Sequence, residues 1–330
     1  MFDERALQAV WYGGQAPSLW LRMVAGVFGI VSRLRRRLYA LGLLPRARMP
    51  VPVIVIGNIS VGGTGKTPLT IALVEALRER GFKPGVISRG YGGNARVATR
   101  VDAQSDPAMV GDEARLIFDA TQAPVAVDRD RTAAALSLLA NGNVDVIVAD
   151  DGLQHYRLQR DVEICVIDGE RRFGNGRLLP AGPLREPTAR LASVDFRVCN
   201  GGVAQEDEVP ISLVGDTVVA LSGAQEKTLR DFAGQRVHAV AGIGNPTRFF
   251  AKLRAAGIDV IEYAFPDHHA YAASDLDFGD ELPVLMTEKD AVKCAAFARP
   301  NWWKVPVRAQ LLPHFFDAVA QLLRASDKTR

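Results

Sequence analysis

A glycine-rich loop between an apolar run and a helical pattern is the first feature of this chain that could do chemistry. The segment reads VIVIGNISVGGTGKTP over residues 53–68. Loop glycines let backbone N–H groups converge on phosphate oxygens, the lysine reaches the β- and γ-phosphates, and the next hydroxyl can bind Mg²⁺. The segment predicts a nucleoside triphosphate site formed by Ser60, Gly62, Gly63, Thr64, Gly65, Lys66 and Thr67.

The loop departs from the common GxxxxGK pattern, because Ser60 stands where that pattern has its first glycine. Its flanks support the nucleotide site all the same. Pro68 suits a first helical turn, apolar residues recur at helical spacing from Leu69 to Leu77, and Gly81 suits the helix end. A glycine-rich turn carrying a chance GKT would need none of these features.

Two carboxylates end another apolar run. Residues 144–149 are followed by Asp150 and Asp151. Mg²⁺ prefers oxygen ligands and keeps several waters, so one or two carboxylates, phosphate and the Thr67 hydroxyl would suffice. The pair predicts a magnesium site, although an aspartate after a strand is also common in turns.

Short apolar runs alternate with helical patterns along the chain. Strand–helix alternation predicts an α/β fold of the P-loop NTPase type, in which helices cover both faces of a mostly parallel sheet. The runs are residues 86–88, 125–127, 144–149, 162–167 and 194–198. Polar motifs follow four of them, at 89–93, 128–131, 150–155 and 168–169. Ligands bind at the carboxyl ends of such strands, so these motifs should converge at one edge.

The same pass predicts four parts of the chain. Residues 1–48 are a basic amphipathic segment, and residues 49–200 form the P-loop domain. Residues 201–234 are a linker or hairpin, and residues 235–330 form a smaller α/β domain.

The N-terminal segment is strongly basic. Residues 1–50 hold eight arginines against two acidic residues, so this part carries +6 and the rest of the +3 chain carries −3. A nucleic-acid surface would need basic residues elsewhere as well, so no nucleic-acid partner is indicated. The apolar stretch 19–31, followed by Arg33, Arg35, Arg36 and Arg37, is too short to span a bilayer as a helix of about 20 Å.

A helix lying in a membrane surface fits this segment best, with Trp20 and Phe28 as anchors and the arginines on anionic headgroups. A buried helix packed on the P-loop domain is the alternative. A signal peptide does not fit, because its charges would precede the apolar run.

Two further motifs contain candidate acid–base residues. Asp112 lies just before a helical pattern, and composition alone favours a helix N-cap at this position. His268 and His269 are adjacent in a loop, so they do not point the same way. One could support a catalytic carboxylate, and both could equally be surface histidines. Arg129, Arg131, Arg177 and Arg185 suit phosphate recognition but also ordinary surface positions.

Several function classes are disfavoured. The three cysteines are scattered, so neither a disulfide framework nor a zinc site is indicated, and a reducing cytoplasm fits. The segment TEKD at residues 287–290 lacks the spacer between lysine and aspartate that a guanine-reading loop needs.

The motifs, taken in order, closely resemble those of the lipid A 4'-kinase family, tetraacyldisaccharide 4'-kinase. They cover about residues 50–307 and read GNISVGGTGKTP, ISRGYGG, GDE, ADDGLQH, NGRLLPAGPLREP, VAGIGNP, FPDHH and MTEKDAVK. The resemblance implies phosphoryl transfer from ATP, with Mg²⁺, to the 4'-hydroxyl of an acylated glucosamine disaccharide 1-phosphate. It also implies a peripheral enzyme on the cytoplasmic face of the bacterial inner membrane, with no obligate protein partner evident.

The resemblance also implies residue roles. Ser60 occupies the family's own variant loop position, Asp112 is the general base, and His268 is its partner. The implied magnesium environment consists of Thr67, Glu113, Asp150 and Asp151. The residues implied to orient phosphate or substrate are Tyr91, Arg131, Gln154, His155 and Arg185.

Two other classes use similar loops. A P-loop switch or partitioning ATPase would turn over without a lipid acceptor. A small-molecule ligase would not need the basic amphipathic N-terminus.

Overall fold

The computed structural model of the chain describes residues 4–140 and 142–327. Its helices are α1 Glu4–Trp11, α2 Leu19–Ala40, α3 Lys66–Glu79, α4 Pro107–Val110, α5 Asp112–Thr121, α6 Arg131–Leu139, α7 Pro246–Ala255, α8 Glu288–Cys294 and α9 Pro313–Asp327. Its strands are β1 Val53–Gly57, β2 Pro84–Ser88, β3 Thr99–Val101, β4 Val125–Val127, β5 Val146–Ala149, β6 Val162–Asp168, β7 Phe196–Asn200, β8 Val209–Val214, β9 Thr217–Ala220, β10 Glu226–Thr228, β11 Arg236–Ala241, β12 Asp259–Ala264, β13 Val284–Thr287, β14 Trp302–Val305 and β15 Arg308–Gln310.

The larger sheet has nine strands in the order β15-β8-β7-β6-β1-β5-β2-β4-β3. The run from β8 to β4 is parallel, and only the edge strands β15 and β3 pair antiparallel. The central strands β1, β2 and β5 are buried at every position, which explains their continuous Val and Ile runs. The predicted α/β class with a mostly parallel sheet is confirmed.

Helices cover both faces of this sheet. On one face, apolar side chains of α3, α5 and α9 pack together, with Leu73, Ile117 and Phe315 buried among the strand residues. On the other face, α6 packs through Ala134, Ala135 and Leu138. Helix α3 and strand β1, which flank the phosphate loop, are thus both anchored in the first of these apolar cores.

The smaller sheet has the order β10-β9-β14-β13-β11-β12, with α7 on one face and α8 on the other. The chain passes between the two sheets twice, from β8 to β9 and from β14 to β15. The crossings run side by side, since a Cβ on Gly215 would press on the Pro306 carbonyl oxygen.

The larger sheet also recruits parts of the chain from outside the predicted P-loop domain. Strand β8, from the predicted linker, and strand β15, from beyond residue 235, both belong to this sheet. Helix α9 packs on it, and apolar side chains of these elements complete its core. The division into independently folding domains stays a prediction.

Helix α2 has two different faces. Leu21 and Ala25 are buried against Ala181, and Gly29 lies against Leu178. The opposite face is apolar and exposed over the stripe Trp20, Met23, Val27, Ile30 and Leu34. Across the part of the chain that the structure describes, no helix combines the length and the apolar character needed to cross a membrane.

Candidate active site

The phosphate loop leaves β1 at Gly57 and enters α3 at Lys66. Gly65 has φ 93° and Gly62 has φ 101°, a left-handed conformation that favours glycine. Asn200, at the end of β7, donates from Nδ2 to the Thr64 carbonyl oxygen at 3.0 Å, and both residues are buried. Sequence reasoning did not single out Asn200, which fixes the loop from two strands away in the larger sheet.

Lys66, Asp151 and Arg185 form one charged cluster beside the loop. Lys66 Nζ lies 3.6 Å from Asp151 Oδ1, and Arg185 donates to Asp151 Oδ2 at 3.2 Å. Burial acts to raise the pKa of Asp151, but these two cations outweigh burial and lower it to about 2. Asp151 has φ 48°, and such strain in a residue other than glycine is typical of functional sites.

Asp150 points the other way, into the protein. It is fully buried, and its Oδ1 accepts a hydrogen bond from the Thr70 hydroxyl at 3.0 Å. Its Oδ2 has no hydrogen-bond partner among the described residues. Burial, together with the nearby carboxylate of Glu113, raises the pKa of Asp150 well above its usual range. A buried carboxylate with a free oxygen is suited to a cation, so this donor set fits Mg²⁺.

Three other predicted residues line the same region, and two of them contact backbone groups. Arg131 is buried, and its Nη2 donates to the carbonyl oxygens of Asp150 and Asp151 at 3.4 and 3.3 Å. Gln154 donates from Nε2 to the Asn58 carbonyl oxygen at 2.9 Å. Burial and Arg131 lower the pKa of His155 to about 4, so its ring is neutral at pH 7. Arg131 thus positions the aspartate pair through its backbone.

Asp112 and His268 meet across the two sheets. Asp112 is the first residue of α5, where Gly111 occupies the N-cap position, so Asp112 is not the cap. His268 Nδ1 lies 3.1 Å from Asp112 Oδ2. Burial acts to raise the pKa of Asp112, but the hydrogen bond from His268 and the ammonium of Lys289 hold it below its usual range. The carboxylate is therefore ionised at neutral pH.

The adjacent histidines point in different directions. His268 packs on the exposed Tyr91 ring, with 4.6 Å between centroids. His269 Nε2 instead lies 3.2 Å from Asp275. Both residues belong to the smaller unit, the part of the chain built around the six-stranded sheet, whereas the larger unit is built around the nine-stranded sheet. The geometry thus brings His268, and not its neighbour, to the predicted base.

The smaller unit also touches the phosphate loop. A Cβ on Gly244, just after β11, would lie 2.5 Å from Gly63 N, so only glycine allows this approach. Arg171 donates to the carbonyl oxygens of Gly244 and Gly63, at 3.1 and 3.4 Å, while its Nε donates to Asp168. Arg171 therefore ties the two units together beside the loop, a role that no local sequence pattern indicated.

A cavity of about 690 Å³ lies beside these groups and is lined by neighbours of both, although Lys66, Asp112 and His268 are not part of its lining. Its lining includes Glu113 and Tyr91, Asp151 and Arg185, and a wall contributed by Phe28, Val31 and three arginines of α2. Seven arginines and three carboxylates line it in total: Arg33, Arg35, Arg36, Arg89, Arg129, Arg131, Arg185, Glu113, Asp151 and Glu186. The predicted convergence is met at this cavity for the motifs after β2, β4 and β5, whereas the fourth motif, residues 168–169, and Arg177 lie outside its lining. The roles of all these residues in binding or catalysis stay predictions.

Comparisons with known proteins agree on one family. Residues 17–324 match the model of the family described as tetraacyldisaccharide-1-P 4'-kinase. The chain is 52% identical to the tetraacyldisaccharide 4'-kinase of Stenotrophomonas maltophilia over 330 residues, covering 97% of this chain and 96% of that protein. It is 54% identical over 326 residues to the protein of that name from Xanthomonas euvesicatoria, covering 95% of this chain and 94% of that protein.

A solved structure shows the same fold. A crystal structure of LpxK from Aquifex aeolicus, in complex with ATP, superposes with a TM-score of 0.76 at 26% identity, covering 91% of this chain and 97% of that one. Sequence and structure therefore lead to the same conclusion: the chain belongs to the tetraacyldisaccharide-1-P 4'-kinase family.

Proposed function

We propose that this chain transfers the γ-phosphoryl group of ATP to the 4'-hydroxyl of an acylated glucosamine disaccharide 1-phosphate. The observation that carries the proposal is a cavity lined on the one hand by Asp151, which pairs with Lys66 of the phosphate loop, and on the other by Tyr91, which packs on His268 of the Asp112–His268 pair. A phosphoryl donor site and a candidate base for an acceptor hydroxyl thus lie together, as group transfer requires.

ATP is the proposed donor. Backbone N–H groups of residues 62–67 and the ammonium of Lys66 would hold its phosphates. Mg²⁺ is the proposed metal, and Asp150, Glu113 and the Thr67 hydroxyl would hold it, while Asp151 is paired with Lys66 and Arg185. When bound, the ion neutralises charge on the phosphate oxygens.

Asp112 is the proposed general base. It takes the proton from the sugar hydroxyl as the hydroxyl oxygen bonds to the γ-phosphorus, and the bond to the bridging oxygen breaks to release ADP. The ring of His268 holds the carboxylate in place from the smaller unit. A positioned base contributes about 10²–10⁴-fold to the rate.

The cavity favours a phosphorylated acceptor. Its lining holds four more arginines than carboxylates, and three of the arginines belong to α2. This surplus suits a second anion besides the nucleotide, which an acceptor bearing a 1-phosphate supplies.

Peripheral binding at the cytoplasmic face of the inner membrane completes the proposal. The exposed apolar stripe of α2 lies on the same helix as the arginines of the cavity wall. A helix in this position would lie in the membrane surface and present the headgroup of a bilayer-held substrate to the cavity.

One assay separates this proposal from a P-loop switch or partitioning ATPase. Purified protein with ATP and Mg²⁺ is incubated with and without the acylated disaccharide 1-phosphate in detergent micelles, and ADP is measured. We expect ADP formation to depend on the acceptor. Equal ADP formation without the acceptor would favour the ATPase.

A further inference from the structure

The segment TEKD, which did not fit a guanine-reading loop, places a lysine in the candidate active site. Thr287 caps the start of α8, where its side chain accepts from the Asp290 backbone N–H at 3.2 Å. The first turn of α8 then projects Lys289 toward α5 of the larger unit. Its Nζ lies 3.1 Å from Glu113 Oε1 and 3.0 Å from Asp267 Oδ1.

Lys289 therefore touches both units at once. Glu113 and Asp112, the latter 3.8 Å from Nζ, belong to α5. Asp267 and His268, whose Nε2 is 3.4 Å from Nζ, belong to the loop after β12. An ammonium is a compact point charge with three rotatable donors, which suits a junction of several acceptors better than a planar guanidinium does.

The site of Lys289 is costly for an unpaired cation, since only 15% of its side chain is exposed. The surrounding carboxylates offset that cost. Lys293, one helical turn further on, differs: its near partner is Asp290 of the same helix at 2.9 Å, and it lies 3.9 Å from Asp112. The short ion pair between the units, from Nζ to Glu113 at 3.1 Å, thus belongs to Lys289.

We propose that Lys289 is a positioning residue of the phosphoryl transfer. It holds the Asp267–His268 loop against the start of α5, so that His268 Nδ1 stays within hydrogen-bonding distance of the Asp112 carboxylate. This inference rests on the proposed kinase function. Lys289 does not touch reacting atoms in this scheme, and it acts through Asp112.

The first test measures steady-state kinetics of Lys289→Met, with Lys304→Met as the matched control. Lys304 lies in the same unit and pairs with Glu288 at 3.8 Å, outside the cavity lining. Because a misplacement of about 1 Å can cost about 10²-fold, we expect kcat of Lys289→Met to fall by about that factor, with KM for ATP unchanged. Wild-type kcat in Lys289→Met would overturn the proposal.

The second test repeats Lys289→Met in the Asp112→Asn background. A residue that acts through Asp112 should cost little once the base is gone, so the two losses should not multiply. A full further loss in the double variant would overturn the proposal, because the lysine would then act elsewhere. If Lys289→Met does not fold, Lys289→Gln takes its place in both comparisons. An inactive wild-type protein would instead count against the kinase function itself.

Discussion

His268 Nδ1 lies 3.1 Å from Asp112 Oδ2, although 156 positions of sequence separate the two residues. Asp112 belongs to helix α5 on the larger sheet, and His268 belongs to the loop that follows β12 of the smaller sheet. The histidine also has φ 60°, which residues other than glycine rarely adopt. The contact between the candidate base Asp112 and its partner His268 thus forms only where the two units pack together.

The first prediction concerns this pair. Asp112→Asn keeps the shape of the side chain but cannot accept the hydroxyl proton, so kcat should fall by about 10²–10⁴-fold. His268→Ala should lower kcat less, since it removes only the group that holds the carboxylate. His269→Ala is the matched control, because His269 pairs with Asp275, and it should keep wild-type turnover. Near-normal turnover in Asp112→Asn would remove Asp112 from the mechanism.

A second prediction separates stability from activity at Asp150. Its Oδ2 is buried and has no hydrogen-bond partner in the described part of the chain. Replacing the carboxylate by a neutral amide should therefore stabilise the metal-free protein by about 1–3 kcal/mol at pH 8, while Mg²⁺-dependent turnover collapses. Urea unfolding in the presence of EDTA measures the first effect. A less stable Asp150→Asn protein at pH 8 would show that the carboxylate is satisfied in the fold.

The pH dependence of that difference has a defined sign. Burial raises the folded-state pKa of Asp150 above its unfolded value of about 3.9, so the folded state holds the proton more tightly. The free-energy cost of burying the ionised Asp150 carboxylate reaches its full value above the folded-state pKa, and it disappears as pH falls toward about 3.9. The stability advantage of Asp150→Asn should shrink over the same range. An advantage that stays constant from pH 8 to pH 4 would contradict this assignment.

The third prediction concerns the cavity wall formed by α2. Arg33 and Arg36 line the cavity, whereas Arg37 on the same helix does not. Arg33→Ala combined with Arg36→Ala should raise KM for the acceptor 1-phosphate. The same change should have little effect on an acceptor that lacks this phosphate.

Arg37→Ala controls for general attraction to anionic lipid, because it also removes a positive charge from α2. Its KM for both acceptors should stay near the wild-type value. If the loss in Arg33→Ala/Arg36→Ala is the same for both acceptors, these arginines do not recognise the 1-phosphate.

A fourth prediction concerns the exposed apolar stripe of α2. Val27 and Ile30 are 63% and 65% exposed. Glutamates there would oppose insertion among acyl chains, so Val27→Glu combined with Ile30→Glu should reduce co-sedimentation with anionic vesicles. It should raise KM for the lipid far more than KM for ATP. Val203→Glu, at an exposed site outside the helix, is the control, and equal vesicle binding of the stripe variant and this control would rule out the stripe as the membrane contact.

Local patterns predicted the phosphate loop and the buried strands well. The change from apolar to polar residues marks the ends of β2, β4 and β5, and Gly81 follows α3 with φ 85°, as a helix-ending glycine should. The edge strands β3 and β15 were missed because each has three residues and lacks a continuous apolar run. The predicted strand at 194–198 begins two residues later, at Phe196.

Long-range contacts could not be read from such patterns. The pairing of Asp112 with His268 came from the family resemblance alone, since no periodicity links residues so far apart. The position of Lys289 depends on how α8 docks on α5. An amphipathic pattern likewise shows that α2 has two faces, but not that its arginines line a cavity.

The most direct test of the account is mass spectrometry of the lipid after incubation with ATP, Mg²⁺ and the purified protein. We predict that the acylated disaccharide 1-phosphate gains one phosphoryl group on the sugar distal to its 1-phosphate, and that Asp112→Asn protein gives far less of this product. An unchanged lipid mass, with ADP formed regardless, would contradict it.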